Sequence, residues 1–188
     1  GNLLGGAQSG HIAAVGYDLY CEMVTEAVAE LKGEPVAKSR EISIDLPVQA
    51  YLPDDYVHLE ELRLEAYRRL AGVTEIVEVA DIEAEWIDRY GLVPDPAQTL
   101  LHIALLRAEC VRFEVSDISV ANRDRVRLSP IELKQSEQIR FRRLINDGPY
   151  KGGIYKEDLK ELTLHTKSAG PNLPGELFSF LRELRPTE

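Results

Sequence analysis

Between Asp95 and Val111 the chain carries Leu100, Leu101, Ile103, Ala104, Leu105, Leu106, Ala108 and Val111 within one continuous helical pattern. Those positions occupy nearly the whole circumference of a helix rather than one stripe. A helix that is apolar all round has no face to offer water and must be enclosed. Asp95 followed by Pro96 supplies its start, with Asp95 expected as cap and Pro96 at the first helical position. The fold therefore has to be built around this segment as its central buried helix.

The segments before it are amphipathic and helical. The spacing predicts a helix over 58–71, with Leu59, Leu62, Ala66 and Leu70 on one face and Gly72 as its stop, and a second from Glu75 to Tyr90 ending at Gly91. Further upstream, Tyr20, Val24, Ala27, Val28 and Leu31 predict a long helix over 17–32, closed by Gly33 and Pro35. The Ile42, Ile44, Leu46 alternation reads as a strand. Val48 to Tyr51, bracketed by Pro47 and Pro53, reads as a second extended piece confined to an edge or a strand end. After the central helix, Val115–Ala121 and Val126–Leu128 form an expected hairpin around Asn122-Arg123-Asp124. A helix over 135–144 follows, expected to turn Ile139 and Leu144 inward and Arg140, Arg142 and Arg143 mostly outward. Strands near Ile154 and over 162–165 and a last helix over 175–184, packing Leu177, Phe178, Leu181 and Leu184, complete the order. Helices come early and strands late without βαβ alternation. The class is α+β, a helix-rich first half packed with a small mixed or antiparallel sheet.

Charge and cysteine usage narrow the chemistry. The formal net charge is −10, unsuited to a sequence-independent grip on DNA or on an anionic membrane. It is unevenly spread: Asp54 to Asp95 holds twelve acids against four Arg, whereas Arg107 to Lys160 holds twelve bases against nine acids. The acidic half is either a solvated face or a match for a basic protein surface. Cys21 and Cys110 each sit inside a helical apolar pattern and read as buried reduced thiols, which fits a reducing cytoplasm. No apolar run reaches the length of a membrane helix.

Recognisable catalytic patterns do not occur. Gly5 to Gly10 has the outer glycine spacing of a phosphate loop, but His11-Ile12 stands where Lys and Ser or Thr would hold phosphate and magnesium. The sequence has no Gly-x-Ser-x-Gly, His-Glu-x-x-His or Cys-x-x-Cys. His102, on the most apolar helix, reads as a core or boundary histidine. The carboxylates of the 75–90 helix lie opposite its apolar side, without the burial that separates the pKa values of a catalytic pair.

The opening Gly1-Asn2-Leu3-Leu4-Gly5-Gly6-Ala7-Gln8-Ser9-Gly10-His11 reads as the cut end of a larger protein: the tail of one module over 1–40, a linker around Glu34 to Arg40, and a domain over 41–188. This opening resembles the translocation-motif loop shared by RecG-like DNA translocases and bacterial transcription-repair coupling factors. Gln8 matches the loop glutamine of that motif, and Gly10 lies in the same loop. Further blocks resemble the C-terminal domain of the coupling factors in order and spacing. They are Ile44-Asp45-Leu46-Pro47, Leu52-Pro53-Asp54-Asp55-Tyr56, Arg63 to Leu70, and Asp88-Arg89-Tyr90-Gly91-Leu92-Val93-Pro94-Asp95-Pro96. The blocks span roughly residues 1 to 112, and the last third is less specific.

The resemblance implies a parent that is an ATP-dependent translocase on double-stranded DNA. It displaces stalled RNA polymerase and recruits the excision-repair protein UvrA, with ATP and magnesium bound upstream of this segment and no cofactor within it. The long helix over 17–32 would then belong to the translocase module. The C-terminal domain is implied to be non-catalytic, folding onto the N-terminal UvrB-like module and covering its UvrA site. The family's acid pair for this clasp falls on Glu85 and Asp88.

The residues themselves make that helix suitable. Val79, Ile82, Trp86 and Tyr90 share one side, while Glu78, Asp81, Glu85 and Asp88 line the other. Burial of the first set would present the second outward as an acid ridge, onto which arginines could fork; Glu83 alone falls within the apolar arc. Two other readings use the same sequence differently. One is a nucleic-acid accessory domain gripping phosphates with Arg140, Arg142, Arg143, Lys151 and Lys156. The other, a carboxylate hydrolase, would need an apolar pocket around two acids.

Overall fold

The computed structural model describes residues 42–122, 124–168 and 170–187. The expected helix over 17–32, Cys21, and the loop with Gln8 and Gly10 lie outside the described residues. In chain order the elements are β1 (Ser43–Asp45), α1 (Glu60–Ala71), α2 (Ile76–Tyr90), α3 (Asp95–Phe113), β2 (Asp117–Asn122), β3 (Arg125–Ser129), α4 (Gln135–Asn146), β4 (Gly152–Lys156), β5 (Glu161–His165) and α5 (Leu173–Leu184), the last entered through a 3-10 turn at Gly170–Asn172. The α+β class holds.

Helix α3 is the centre. Ala97, Leu100, Leu101, Ile103, Ala104, Leu106, Ala108, Cys110 and Phe113 are all buried along it, and α1, α2 and α5 each pack against it. It starts one residue earlier than the sequence suggests. Pro94, extended at ψ 159°, is the cap, and Asp95 is the first helical residue with no capping side-chain bond. The Gln98 amide donates to the Pro94 carbonyl at 2.9 Å, so Asp95 acts on the helix through its charge at the positive end of the dipole.

The sheet runs in the order β1-β2-β3-β5-β4. β1 pairs parallel with β2, and the remaining pairs are antiparallel. Strand period two puts Ile44, Ile118, Val126, Leu128, Leu162 and Leu164 on the face joined to the helical core. Arg125 and Arg127, at alternate positions of β3, are exposed on the opposite face. At β4, Gly153 lets the strand approach α4: a Cβ there would lie 3.1 Å from Phe141 Cζ.

Four local expectations are corrected. Val48–Tyr51 is not a strand; the Tyr51 amide instead donates to the Pro96 carbonyl at 3.2 Å, tying this segment to the start of α3. Leu59 precedes α1 and is exposed, while Tyr67 fills the buried position, its hydroxyl accepting from the Leu52 amide at 2.8 Å. Ile139 is also outside, at 46% exposure. The buried stripe of α4 runs instead through Glu137 and Phe141 to the partly buried Leu144 and Ile145. A hydrophobicity pattern passes over Glu137 and so misplaces the face. Phe141 meets Phe180 edge-on at 6.0 Å, and Phe180 in turn meets Tyr150 at 5.1 Å. Phe180 is fully buried and takes the place expected of Phe178, which is partly exposed.

Glu137 is buried because the last helix supplies its counter-charge. Arg185 donates to it through Nε at 2.5 Å and a terminal nitrogen at 3.0 Å, and the Lys134 amide adds a third bond at 2.9 Å. The guanidinium of Arg185 also lies 4.1 Å from the Phe113 ring centroid. Beside it, buried Glu109 receives Arg112 at 2.6 Å and Arg182 at 3.3 Å. Arg140 and Arg112 donate to the Leu184 and Leu181 carbonyls, at 2.8 and 3.4 Å, satisfying the carbonyl end of α5.

Removing Arg185 strands a buried carboxylate, so Arg185→Ala is expected to cost about 3 kcal/mol in urea unfolding. Burial opposes ionisation of Glu137, but the Arg185 hydrogen bonds, the Lys134 amide and the Arg185 charge together hold its carboxyl below the ordinary range. Its contribution is therefore complete above the unfolded value of about 4.3 and is lost as pH falls through the folded one. Acid titration of stability should be shallower in Glu137→Gln than in the wild type.

Candidate partner-binding helix

Helix α2 is fixed at both ends before its surface matters. Glu78 folds back at the start as the acid of a capping box, its Oε1 accepting from the amides of Thr74 and Glu75 at 3.2 and 3.1 Å. At the far end Gly91, at φ +90°, ends the helix in a conformation that side-chain-bearing residues rarely adopt. The Tyr56 hydroxyl reaches the Gly91 and Trp86 carbonyls at 2.9 and 3.2 Å, and its ring meets Tyr90 edge-on at 5.6 Å. Burial, with the nearby Tyr90, raises the Tyr56 pKa.

The inner side of α2 matches the sequence expectation. Val79, Ile82 and Trp86 are buried, and Tyr90 is partly buried against the same core. Glu83, anomalous in sequence, is half-buried beside His102 of α3. Burial lowers the His102 pKa while the Glu83 charge opposes the shift. His102 lies under Gly175 of α5, where an added Cβ would be 3.5 Å from its Nδ1. Its neighbourhood is the boundary site foreseen for it.

The acid side divides into engaged and free groups. Asp81 and Asp88 are exposed and have no ion-pair partner among the described residues. Glu78 is committed to the cap. Glu85 is engaged on both oxygens: Arg69 of α1 pairs with Oε2, and Arg89, one turn on, lies 3.8 Å from Oε1. Arg69 and Arg89 line a small cleft between α1 and α2, with Trp86 and Tyr90 beneath. The Glu85–Arg89 spacing is legible as an i, i+4 pair. Arg69 is sixteen residues away, and no local pattern points to it.

The basic segment does not form one surface. Arg140 is spent on the Leu184 carbonyl and Lys151 on Asp124 at 2.9 Å, while Arg142 and Arg143 stand exposed on α4. Lys156 of β4 alternates with the partly buried Tyr155, which puts it on the sheet face away from α4. Among the described residues no group of three or more His, Cys, Asp or Glu could hold a metal ion, and no helix is long and apolar enough to cross a membrane.

The described residues form a helix-and-sheet domain with its core closed around α3 and an acid-faced helix on its outside. Comparison with known proteins places it further. The family model for the TRCF domain matches residues 46–143, and the chain belongs to the transcription-repair-coupling factor family. It is 43% identical to the transcription-repair-coupling factor of Mycobacterium tuberculosis over 181 residues, 90% of this chain. With the Bacillus subtilis factor it shares 33% over 172 residues, 89% of this chain. The chain spans 14% of the length of each of these relatives. A crystal structure of the C-terminal domain of a transcription-repair coupling factor shares the fold, with a TM-score of 0.64 at 22% identity, covering 77% of this chain and 91% of that one. The family match continues past residue 112, through the β2–β3 hairpin and most of α4, beyond the blocks that carry the sequence resemblance.

Trp86 and Asp88 are two residues apart and should behave oppositely. Trp86→Ala empties a buried site and is expected to cost about 3–5 kcal/mol in urea unfolding. Asp88→Ala should stay within about 0.5 kcal/mol of wild type.

Proposed function

We propose that this domain is a regulatory, non-catalytic clasp. In this reading it binds the N-terminal UvrB-like module of its own protein through the acid side of α2 and masks the surface that otherwise takes UvrA. The whole protein would be a cytoplasmic ATP-dependent translocase on double-stranded DNA that displaces stalled RNA polymerase and recruits UvrA. The observation that carries the proposal is the division of α2. A buried Val79–Ile82–Trp86 side fixes the helix, and the carboxylates stand opposite, away from the core.

The pairing of Glu85 adds a condition. Its two oxygens already face Arg69 and Arg89 across a surface about half exposed, where an ion pair contributes only about 0–1 kcal/mol. A partner arginine can displace Arg69 at little cost, so Arg69 acts as an internal competitor for the clasp. Weak individual pairs also suit a latch that must open, with a coupling of about 1–3 kcal/mol.

Titration calorimetry of this chain against the separately produced N-terminal module tests the proposal. Glu85→Lys with Asp88→Lys should weaken binding at least about 10-fold and, in the full-length protein, raise UvrA binding. Arg69→Ala should tighten it by up to about 5-fold. Unchanged affinity in the double reversal removes the site assignment.

A further inference from the structure

The outward half of α2 is divided lengthwise. At about 100° per residue, Ile87, Ala80, Ala84 and Val77 follow one another around one quarter of the helix, and Asp88 and Asp81 come next, ahead of Glu85 and Glu78. Val77 is 58% exposed and Ile87 46%, and Ala80 and Ala84 between them are exposed as well. Leu92, two residues beyond the end of the helix, is 91% exposed. An apolar lane therefore runs along the acid ridge, on a helix whose opposite side is already packed.

We infer that this lane is the seam of the clasp, and that its occupant is an amphipathic helix of the N-terminal module with basic side chains two turns apart along one edge. The inference rests on the clasp reading and specifies its partner. Two alanines between larger ends make a shallow trough, into which a second helix can settle at the axis separation of packed helices, about 8–10 Å. The free carboxylates set the partner's charge: Asp81 and Asp88 are seven residues, about 10.5 Å, apart along the axis. Arg or Lys at positions i and i+7 of a nearly aligned helix meets both. Exposed ion pairs alone are too weak to hold two modules together, whereas covering the remaining area of Val77 and Ile87 supplies a salt-insensitive part.

The test is titration of the 188-residue chain with the N-terminal module at low and at high salt, after urea unfolding confirms that each variant is as stable as wild type. Val77→Ser with Ile87→Ser should weaken binding by about 10- to 30-fold at both salt concentrations. Asp81→Asn with Asp88→Asn should remove mainly the part of the affinity that depends on salt. Ala84→Trp, which raises the floor of the trough, should weaken binding at least as much as the serine pair. If the serine pair and Ala84→Trp bind like wild type while Glu85→Lys with Asp88→Lys does not, the seam is overturned and the clasp stands. If the wild-type chain fails to bind the module, both fall.

Discussion

Enclosure of α3 is the constraint from which the rest of the structure follows. A helix apolar on every side cannot be a surface element, so α1, α2 and α5 are laid against it and the sheet closes the same core. Each of those neighbours then has one committed side and one free side. Function is left to the free sides, and α2 is where the free side is most differentiated: a buried tryptophan stripe inward, carboxylates and an apolar lane outward.

The chain's second half holds the enclosure shut. Glu109 and Glu137 are almost fully buried charges, which an interior tolerates only when they are paired and hydrogen-bonded. Arg112, Arg182 and Arg185 meet them; Arg112 and Arg185 also lie against the Phe113 ring, and Arg112 donates to the Leu181 carbonyl of α5. The final helix is thereby locked onto α3 and α4 by directional bonds as well as by Leu177, Phe180, Leu181 and Leu184. That side of the domain is cross-linked by buried ion pairs, whereas the side bearing α2 leaves Asp81 and Asp88 exposed.

Most of the element order is legible in the sequence, because apolar spacing and Gly or Pro stops record it directly: α2 between Glu75 and Gly91, the hairpin, the paired late strands. Burial of Val79, Ile82 and Trp86 is legible for the same reason. The misses share one cause. Ile139 reads as inward because the true inward position, Glu137, is charged, and only Arg185 from forty-eight residues away makes its burial possible. Phe178 and Phe180 are two residues apart and equally apolar; which of them faces Tyr150 and Phe141 depends on how α5 is rotated against α3 and α4. Likewise Glu85 reads as a free member of a four-acid ridge until α1 brings Arg69 against it.

The sequence by itself determined that a central helix had to be enclosed, that one neighbouring helix would turn carboxylates outward, and that the chain resembles the coupling-factor family. Those properties are periodic or local, so neighbouring residues encode them. Only the tertiary structure decided which carboxylates are engaged and which are free, where buried charges find their arginines, and which exposed apolar residues line up beside the acids. Each of these is a meeting of side chains from different elements, set by packing geometry that no single segment carries.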